Sequence, residues 1–310
     1  MSNNPSAEVE INAAVVRRLL RDQAPSLADL PLVPVTNGWD NVIWRLGDSL
    51  AVRITRRAVV VSLHANEQRW LPSLAPQLPI SVPASIVAGR PSADFPWPWS
   101  VVPWHEGDTA DRMPPNRAES AALGRFLRAL HVAAPVDAPT NPFRGVPLED
   151  RIPSVTEWTA GLSDTGDRVL AAAARAVFDE GLAASLASER QWLHGDLHPR
   201  NVLVRDGRIA AVLDWGDMTA GDAATDLAAV WWLFDLDAHI EFWSAYGEIN
   251  AATWHRARAW AAVFGLSFLN YRLAADPDIA DTHAQGLARI QLQRVTAPQL
   301  PPQPTSDALP

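Results

Sequence analysis

Apolar positions in the first hundred residues repeat at two different periods. Between residues 7 and 23, Val9, Ile11, Val15, Val16, Leu19 and Leu20 recur at helical spacing and predict an amphipathic helix. Residues 42–46 and 50–54 alternate around a Gly47-Asp48-Ser49 turn, which predicts a β-hairpin. Residues 59–71 return to a helical period, and Pro72 is expected to stop that helix. Two proline-bounded runs, 80–88 and 99–104, read as further strands. From Glu119 the pattern changes to Ala- and Leu-rich helical stretches at 119–131, 155–159 and 168–188, with more helices reaching about Arg294. A strand–turn–strand at 201–213 interrupts them. The order predicts an α+β chain with a small, mostly β lobe (residues 1–104) and a larger helical lobe (105–297). A Pro-rich tail (298–310) is expected to pack loosely.

The interrupting hairpin carries the strongest chemistry. Asp206-Gly207 is a two-residue turn signal between apolar runs, so 201–204 should pair antiparallel with 208–212. Facing positions then sum to 413, which sets Asn201 opposite Val212 and next to Asp214. An amide and a carboxylate oxygen at the open end of one hairpin suit Mg²⁺, which takes one or two such protein ligands and leaves the rest to phosphates. Just upstream, Asp196 lies in a loop flanked by Gly195 and Pro199, a place to expose a carboxylate as a base. His194 and His198 flank it, but with no third histidine and no cysteine they make a poor zinc site. His194 is expected to buttress the loop instead, and Asp226 to cap or anchor a segment.

Composition narrows the chemistry. The chain has 310 residues, of which 48% are hydrophobic, enough for about two domains' worth of core. It contains no cysteine, so disulfides, thiolate metal sites and a cysteine nucleophile are excluded. It contains no lysine either: all 26 basic residues are arginine, which excludes a lysine Schiff base or a P-loop lysine. A net charge of −9 argues against nucleic-acid binding and for cationic partners. No run of 18 apolar residues suggests a membrane span, and a cytoplasmic monomer or weak dimer is expected.

The run His194-Gly195-Asp196-Leu197-His198-Pro199-Arg200-Asn201 resembles the catalytic loop of the aminoglycoside phosphotransferase family, relatives of the protein kinases. Asp196 and Asn201 keep the interval between the kinase catalytic Asp and metal-binding Asn. Leu213-Asp214-Trp215 is similar to that family's counterpart of the Asp-Phe-Gly motif, and Gly221-Asp222 with Asp226-Leu227-Ala228 to the run that follows it. The resemblance implies a bilobal kinase-like fold and transfer of the γ-phosphate of ATP or GTP to a hydroxyl of a small molecule, most simply an antibiotic. It implies Asp196 as catalytic base and Asn201 and Asp214 as Mg²⁺ ligands. It places Gly38, Asp40 and Asn41 in the loop over the nucleotide, Ala51 and Arg53 on the phosphate-facing strand, and Glu67 as the ion-pair partner of Arg53. The carbonyl of Pro103 and the N–H of His105 would read the purine edge, and Leu203 would floor it. Arg53 departs from the family pattern, which has lysine there.

For the acceptor, Asp217, Asp235 and Asp237, with Asp222 and Glu241, suggest an acidic edge for a cationic molecule, and Trp231 or Trp232 a flat apolar wall. Two alternatives stay open: a metabolic kinase acting on a sugar, choline-like or amino-alcohol substrate, and a catalytically silent nucleotide-binding protein.

Overall fold

The computed structural model describes residues 7–37, 40–184, 189–273 and 282–302. Its N-terminal lobe begins with helix α1 (Ala13–Gln23), shorter than the pattern of residues 7–23 implied. The reason is Asn12, whose side chain accepts the Val15 N–H at 3.0 Å and fixes the helix start there. Strands β1 (Leu32–Asn37), β2 (Asn41–Leu46) and β3 (Leu50–Thr55) form a meander. Helix α2 (Val61–Leu74) follows, then β4 (Val87–Gly89) and β5 (Trp99–Pro103). They complete an antiparallel sheet of order β1-β2-β3-β5-β4. Pro72 does not stop α2: it lies in the last turn, where only one carbonyl loses its partner. The expected strand at 80–88 shrinks to β4. Pro79 and Pro83 remove ladder donors, and Ser81 makes a single parallel bridge to Ala211 instead.

The C-terminal lobe enters through β6 (Asp108–Thr109) and α3 (Glu119–Leu130). Next come α4 (Ile152–Asp164), longer than its 155–159 expectation, and α5 (Arg168–Leu182). Strands β7 (Gln191–Leu193), β8 (Val202–Arg205), β9 (Arg208–Val212) and β10 (Thr219–Gly221) carry the loops of interest. The short helices α6 (Ala224–Leu227) and α7 (Ala229–Leu233) then lead to α8 (His239–Tyr246), α9 (Ala251–Leu273) and α10 (Thr282–Thr296). The start of the tail is pinned at Ala297 and Gln299, while Leu300 is exposed. Gln299 accepts the indole N–H of Trp231 at 2.8 Å, and Arg258 holds the Ala297 carbonyl at 2.8 Å. Among the described residues no helix is long and apolar enough to cross a membrane.

The apolar core comes in two bodies. One joins α1 to the inner face of the five-stranded sheet through Leu19, Leu46, Val52 and Trp99. The other fills the helical lobe around Phe126, Phe178, Trp215, Trp231 and Trp260. The end of α2 and residues Ile80 and Val82 belong to the second body, so α2 bridges the lobes. Gly107, at φ +148°, is where the chain crosses between them. A Cβ there would stand 2.7 Å from the Val204 carbonyl oxygen, so only glycine permits the crossing chain to lie against β8.

Candidate active site

On the N-terminal side of the cleft, β3 presents Arg53 and α2 presents Glu67. Nη1 of Arg53 donates to both carboxylate oxygens at 2.5 Å, and the two side chains are 9% and 2% exposed. Nη2 reaches the Asp214 carboxylate at 3.3 Å. With its amide oxygen turned inward, Asn41 accepts from Nη2 and Nε at 3.1 and 3.2 Å. Burial opposes the charged guanidinium, yet Glu67 and Asp214 hold its pKa above the ordinary arginine value. Arg53 and Glu67 are therefore a buried pair, and their bond links β3 to the bridging helix.

Between β7 and β8 the chain makes the loop that carries Asp196. Two features force its shape. Gly195 has φ +87°, and a Cβ there would meet the Asp217 carbonyl oxygen at 2.5 Å. Buried Asp226, from α6, accepts the N–H groups of His194 and Gly195 at 2.6 and 2.9 Å. Asp226 is thus the anchor its sequence position suggested. His194 accepts the Asp196 N–H at Nδ1 (3.2 Å), so its Nε2 donates to the Leu213 carbonyl (2.8 Å). This stitches the Asp196 loop to the Asp214 loop. The ring also packs edge-on against fully buried Trp215, 4.8 Å away.

The Asp196 carboxylate is tightly held. Arg144 donates to Oδ1 at 2.8 Å. His198 accepts the Arg200 N–H at Nδ1 (3.1 Å), leaving Nε2–H to face Oδ2 at 3.3 Å. Burial alone would raise the Asp196 pKa, but His198 and Arg144 outweigh it and hold the group well below the usual carboxylate range. The carboxylate is ionised at neutral pH.

Asn201 closes a short turn (Pro199–Asn201) ahead of β8 rather than opening the strand. The turn of the following hairpin is as the Asp-Gly pair requires, with Asp206 and Gly207 at φ +53° and +74°. The pairing keeps the sum of 413 only next to that turn, as in Val204↔Ile209. Beyond it Leu203 faces Ala211 and Val202 faces Val212, so Asn201 does not lie opposite Val212. Ala210 is the extra residue of a bulge, where β9 bends so that the Val212 N–H can reach the Ser81 carbonyl at 3.0 Å. Asn201 still meets the Asp214 segment, because its carbonyl accepts the Leu213 N–H at 2.7 Å. Its Nδ2 donates to the Asp196 carbonyl at 2.9 Å, which leaves Oδ1 to accept or ligate. Asp214 stands at φ +58° with its side chain 55% exposed.

Four carboxylates border this cleft. Burial, then the charge of Asp214, raises the Asp40 pKa despite an ion pair to Arg57 at 3.2 Å. Burial, then Asp196, raises that of Asp217. Such mutual repulsion is what a bound divalent cation relieves, and the oxygen donors of Asn201 and Asp214 fit Mg²⁺. Among the described residues no three His, Asp or Glu side chains cage a metal by themselves, so an ion here would share its shell with other oxygens.

Ala51, Val102 and Leu203 are buried but belong to neither apolar body. Ala51 faces Val102 in the sheet, and Leu203 lies on β8 beside the crossing chain. Pro103 ends β5, and the Trp104 N–H is taken by the Ser49 carbonyl at 2.8 Å. The His105 N–H donates to no backbone carbonyl among the described residues. Gly38 lies outside the described residues.

The acceptor side corrects the sequence reading. Trp231 is fully buried among His239, Trp243 and Trp254, and is no cleft wall. Trp232 packs 5.2 Å from Phe268, which in turn lies edge-on 5.0 Å from His198, and it lines a small pocket beside the loop. Asp235 is paired with Arg294 and Asp237 with Arg117, which also holds Glu241 at 2.8 Å. Asp222 is locked to buried Arg256 at 2.7 Å. The acidic edge is therefore neutralised from within, and of that set only Asp217 is at the Asp196 loop, accepting from Asn141 at 2.7 Å. Asn141 and Arg144 went unnoticed in the sequence. Their only signal is a polar, Gly- and Pro-punctuated stretch without hydrophobic period, 52 residues from Asp196.

The model of the phosphotransferase enzyme family matches residues 31–260. Over 141 residues the chain is 30% identical to hygromycin-B 4-O-kinase of Escherichia coli, covering 43% of this chain and 40% of that protein. It thus spans about two fifths of the length of that curated relative. Among solved structures, the GDP complex of aminoglycoside 2'-phosphotransferase-IIIa superposes with a TM-score of 0.63 at 16% identity, over 93% of this chain and 99% of the other. A macrolide 2'-phosphotransferase from Brachybacterium faecium gives 0.58 at 22% identity, over 93% and 99%. These share the bilobal fold, and with three quarters of its length matched, the chain belongs to the phosphotransferase enzyme family.

Proposed function

We propose that this protein transfers the γ-phosphate of ATP or GTP to a hydroxyl of a small molecule, with Mg²⁺. The observation that carries the reading is the convergence at one cleft of three groups: Arg53 on its buried partner Glu67, Asn201 beside Asp214, and an ionised Asp196. The small-molecule antibiotics in the names of the relatives support an acceptor of that size.

In this reading residues 1–104 hold the nucleotide, with Ala51 and Val102 above the purine, Leu203 below it, and the Pro103 carbonyl and His105 N–H at its edge. Arg53 turns Nη2 to a phosphate oxygen in exchange for its long 3.3 Å contact with Asp214, while Glu67 keeps Nη1. Asn201 and Asp214 would hold Mg²⁺, whose contribution is to neutralise charge on the phosphate oxygens. Asp196 accepts the hydrogen bond of the acceptor hydroxyl and aims its lone pair at phosphorus. As the new O–P bond forms and the bond to the β-phosphate oxygen breaks, the hydroxyl proton passes to Asp196 and then to solvent. A carboxylate of such low basicity acts mainly by orientation, which suits a loose transition state in which the proton leaves late. Oδ1 already accepts one N–H of Arg144, so the hydroxyl either joins it on the oxygen's second lone pair or takes its place.

The test is phosphate transfer from ATP and from GTP to a panel of aminoglycosides, macrolides, peptide antibiotics and metabolic alcohols. Asp196→Asn should lower turnover by about 10²–10⁴-fold with nucleotide affinity little changed. Undiminished transfer by that variant would remove Asp196 from its role.

A further inference from the structure

Arg151, at the start of α4, is 6% exposed, and its guanidinium makes no hydrogen bond or ion pair among the described residues. It lies instead over two aromatic rings, 5.7 Å from the centre of Phe143 and 5.6 Å from that of Trp158. Arg144, the neighbour of Phe143 in the chain, spends one N–H on Asp196, and its buried Nε has no partner. Its guanidinium rests 4.9 Å above Phe264. Buried arginines are normally matched by carboxylates or carbonyls, since an unpaired buried charge is costly. Here buried Arg151 and the partly buried Arg144, 21% exposed, lie over flat apolar surfaces near enough to feel each other's charge, with donors to spare. Burial and the nearby charge of Arg144 both disfavour the charged form of Arg151, and Asp150 offsets this only in part.

We propose that Arg144 and Arg151 form an oxyanion subsite for the acceptor, which therefore carries a carboxylate or phosphate group near the hydroxyl to be phosphorylated. This rests on the reading of Asp196 as the residue that orients the acceptor. Guanidinium forks match both oxyanions bidentately, which a point charge does not. The subsite also explains how Asp196 is released. An anionic acceptor draws Arg144 off Oδ1 toward Arg151 and frees that oxygen for the hydroxyl, whereas a neutral or cationic acceptor leaves the Arg144–Asp196 bond in place.

The experiment uses matched pairs: glycerate against glycerol, glucuronate against glucose, and a hydroxy acid against its methyl ester. Melting temperature with and without each compound reads binding, and phosphate transfer reads turnover. The wild-type protein should be stabilised by the anionic member of at least one pair and should phosphorylate it with kcat/KM at least tenfold above its neutral partner. Arg151→Gln should raise KM for that acceptor tenfold or more, and Arg151→Lys should recover part of the loss. Preference for the neutral members, or for cationic amines, overturns the proposal while leaving phosphotransfer intact. Absence of transfer to every acceptor defeats the phosphotransferase reading, and the melting-temperature arm then still decides the subsite. If Arg151→Gln weakens binding of the nucleoside triphosphate but not the diphosphate, with acceptor preference unchanged, the oxyanion is the donor's γ-phosphate and the proposal is overturned. If that variant does not fold, the matched pairs on wild type decide alone.

Discussion

Two arginines of the candidate site are in opposite states. Arg53 is saturated: Glu67, Asp214 and Asn41 together engage Nη1, Nη2 and Nε. Arg144 makes one bond, to Asp196, and its neighbour Arg151 makes none among the described residues. The difference separates an arginine whose donors build the scaffold from arginines whose donors are held in reserve. The first is part of the fold's own balance of charge. The others repel each other in the absence of an anion, a cost that a binding site carries and a scaffold does not.

The sharpest way to break this contrast is to remove each charge in turn. Arg53→Met strands Glu67 in a buried site and should lower unfolding free energy by about 3–5 kcal/mol, read by urea denaturation. Arg144→Met should stay within about 1 kcal/mol of wild type, because it also relieves repulsion on Arg151. Equal losses would erase the distinction.

Next in size is the anchor beneath Arg144. Asp226→Asn turns one of the two oxygens that hold the His194 and Gly195 N–H groups into a donor, at a cost of roughly 1.5–3 kcal/mol. Hydrogen exchange at those two amides should accelerate with it. Unchanged protection would show that Gly195 and Asp217 shape the loop without Asp226.

A pH effect sits behind Arg53. His64, on α2, is enclosed by Thr55 and Ser100 at 2.9 and 2.8 Å, and burial, followed by the charge of Arg53, pushes it down to about 3. The unfolded chain takes up a proton near the ordinary value of 6.5, which the folded chain refuses. Stability from this group is thus complete above pH 6.5 and is lost as pH falls toward 3, by at most about 1.4 kcal/mol per pH unit. His64→Leu should flatten that part of the stability–pH curve, and an unchanged slope would place the proton uptake elsewhere.

The smallest expected effect is on Asp196 itself. Arg144→Gln removes one of the cations that hold its pKa down, so the acid limb of the pH–rate profile should move to higher pH. A limb that does not move would leave His198 as the group in control.

The legible part of the site was local in the chain. Asp196 and Asn201 are five residues apart, and the Asp206-Gly207 turn brings the Asp214 segment back beside them, so spacing and turn chemistry were enough. The pairing of Arg53 with Glu67 was readable only through the family resemblance. The bulge at Ala210 was not readable, because it answers a bond from Val212 to Ser81, far away in sequence. Nor were Asn141, Arg144 and Arg151: they come from a stretch with no hydrophobic period, and what matters is where the chain lays it.

Sequence alone determined the α+β order of elements, the Asp-Gly hairpin, the lysine- and cysteine-free chemistry and the closeness of Asp196, Asn201 and the Asp214 segment. All of these depend on composition or on neighbours within a few residues. Only the tertiary structure decided which charges are spent. Asp235, Asp237, Glu241 and Asp222 looked like a binding edge in the chain, but each meets an arginine brought from another element. Trp231 and Trp232, adjacent in sequence, point one into the core and the other toward a pocket beside His198 and Arg200. A charge or a ring has no role until its partners are placed, and placing partners 34 to 124 residues apart is the work of packing, not of local pattern.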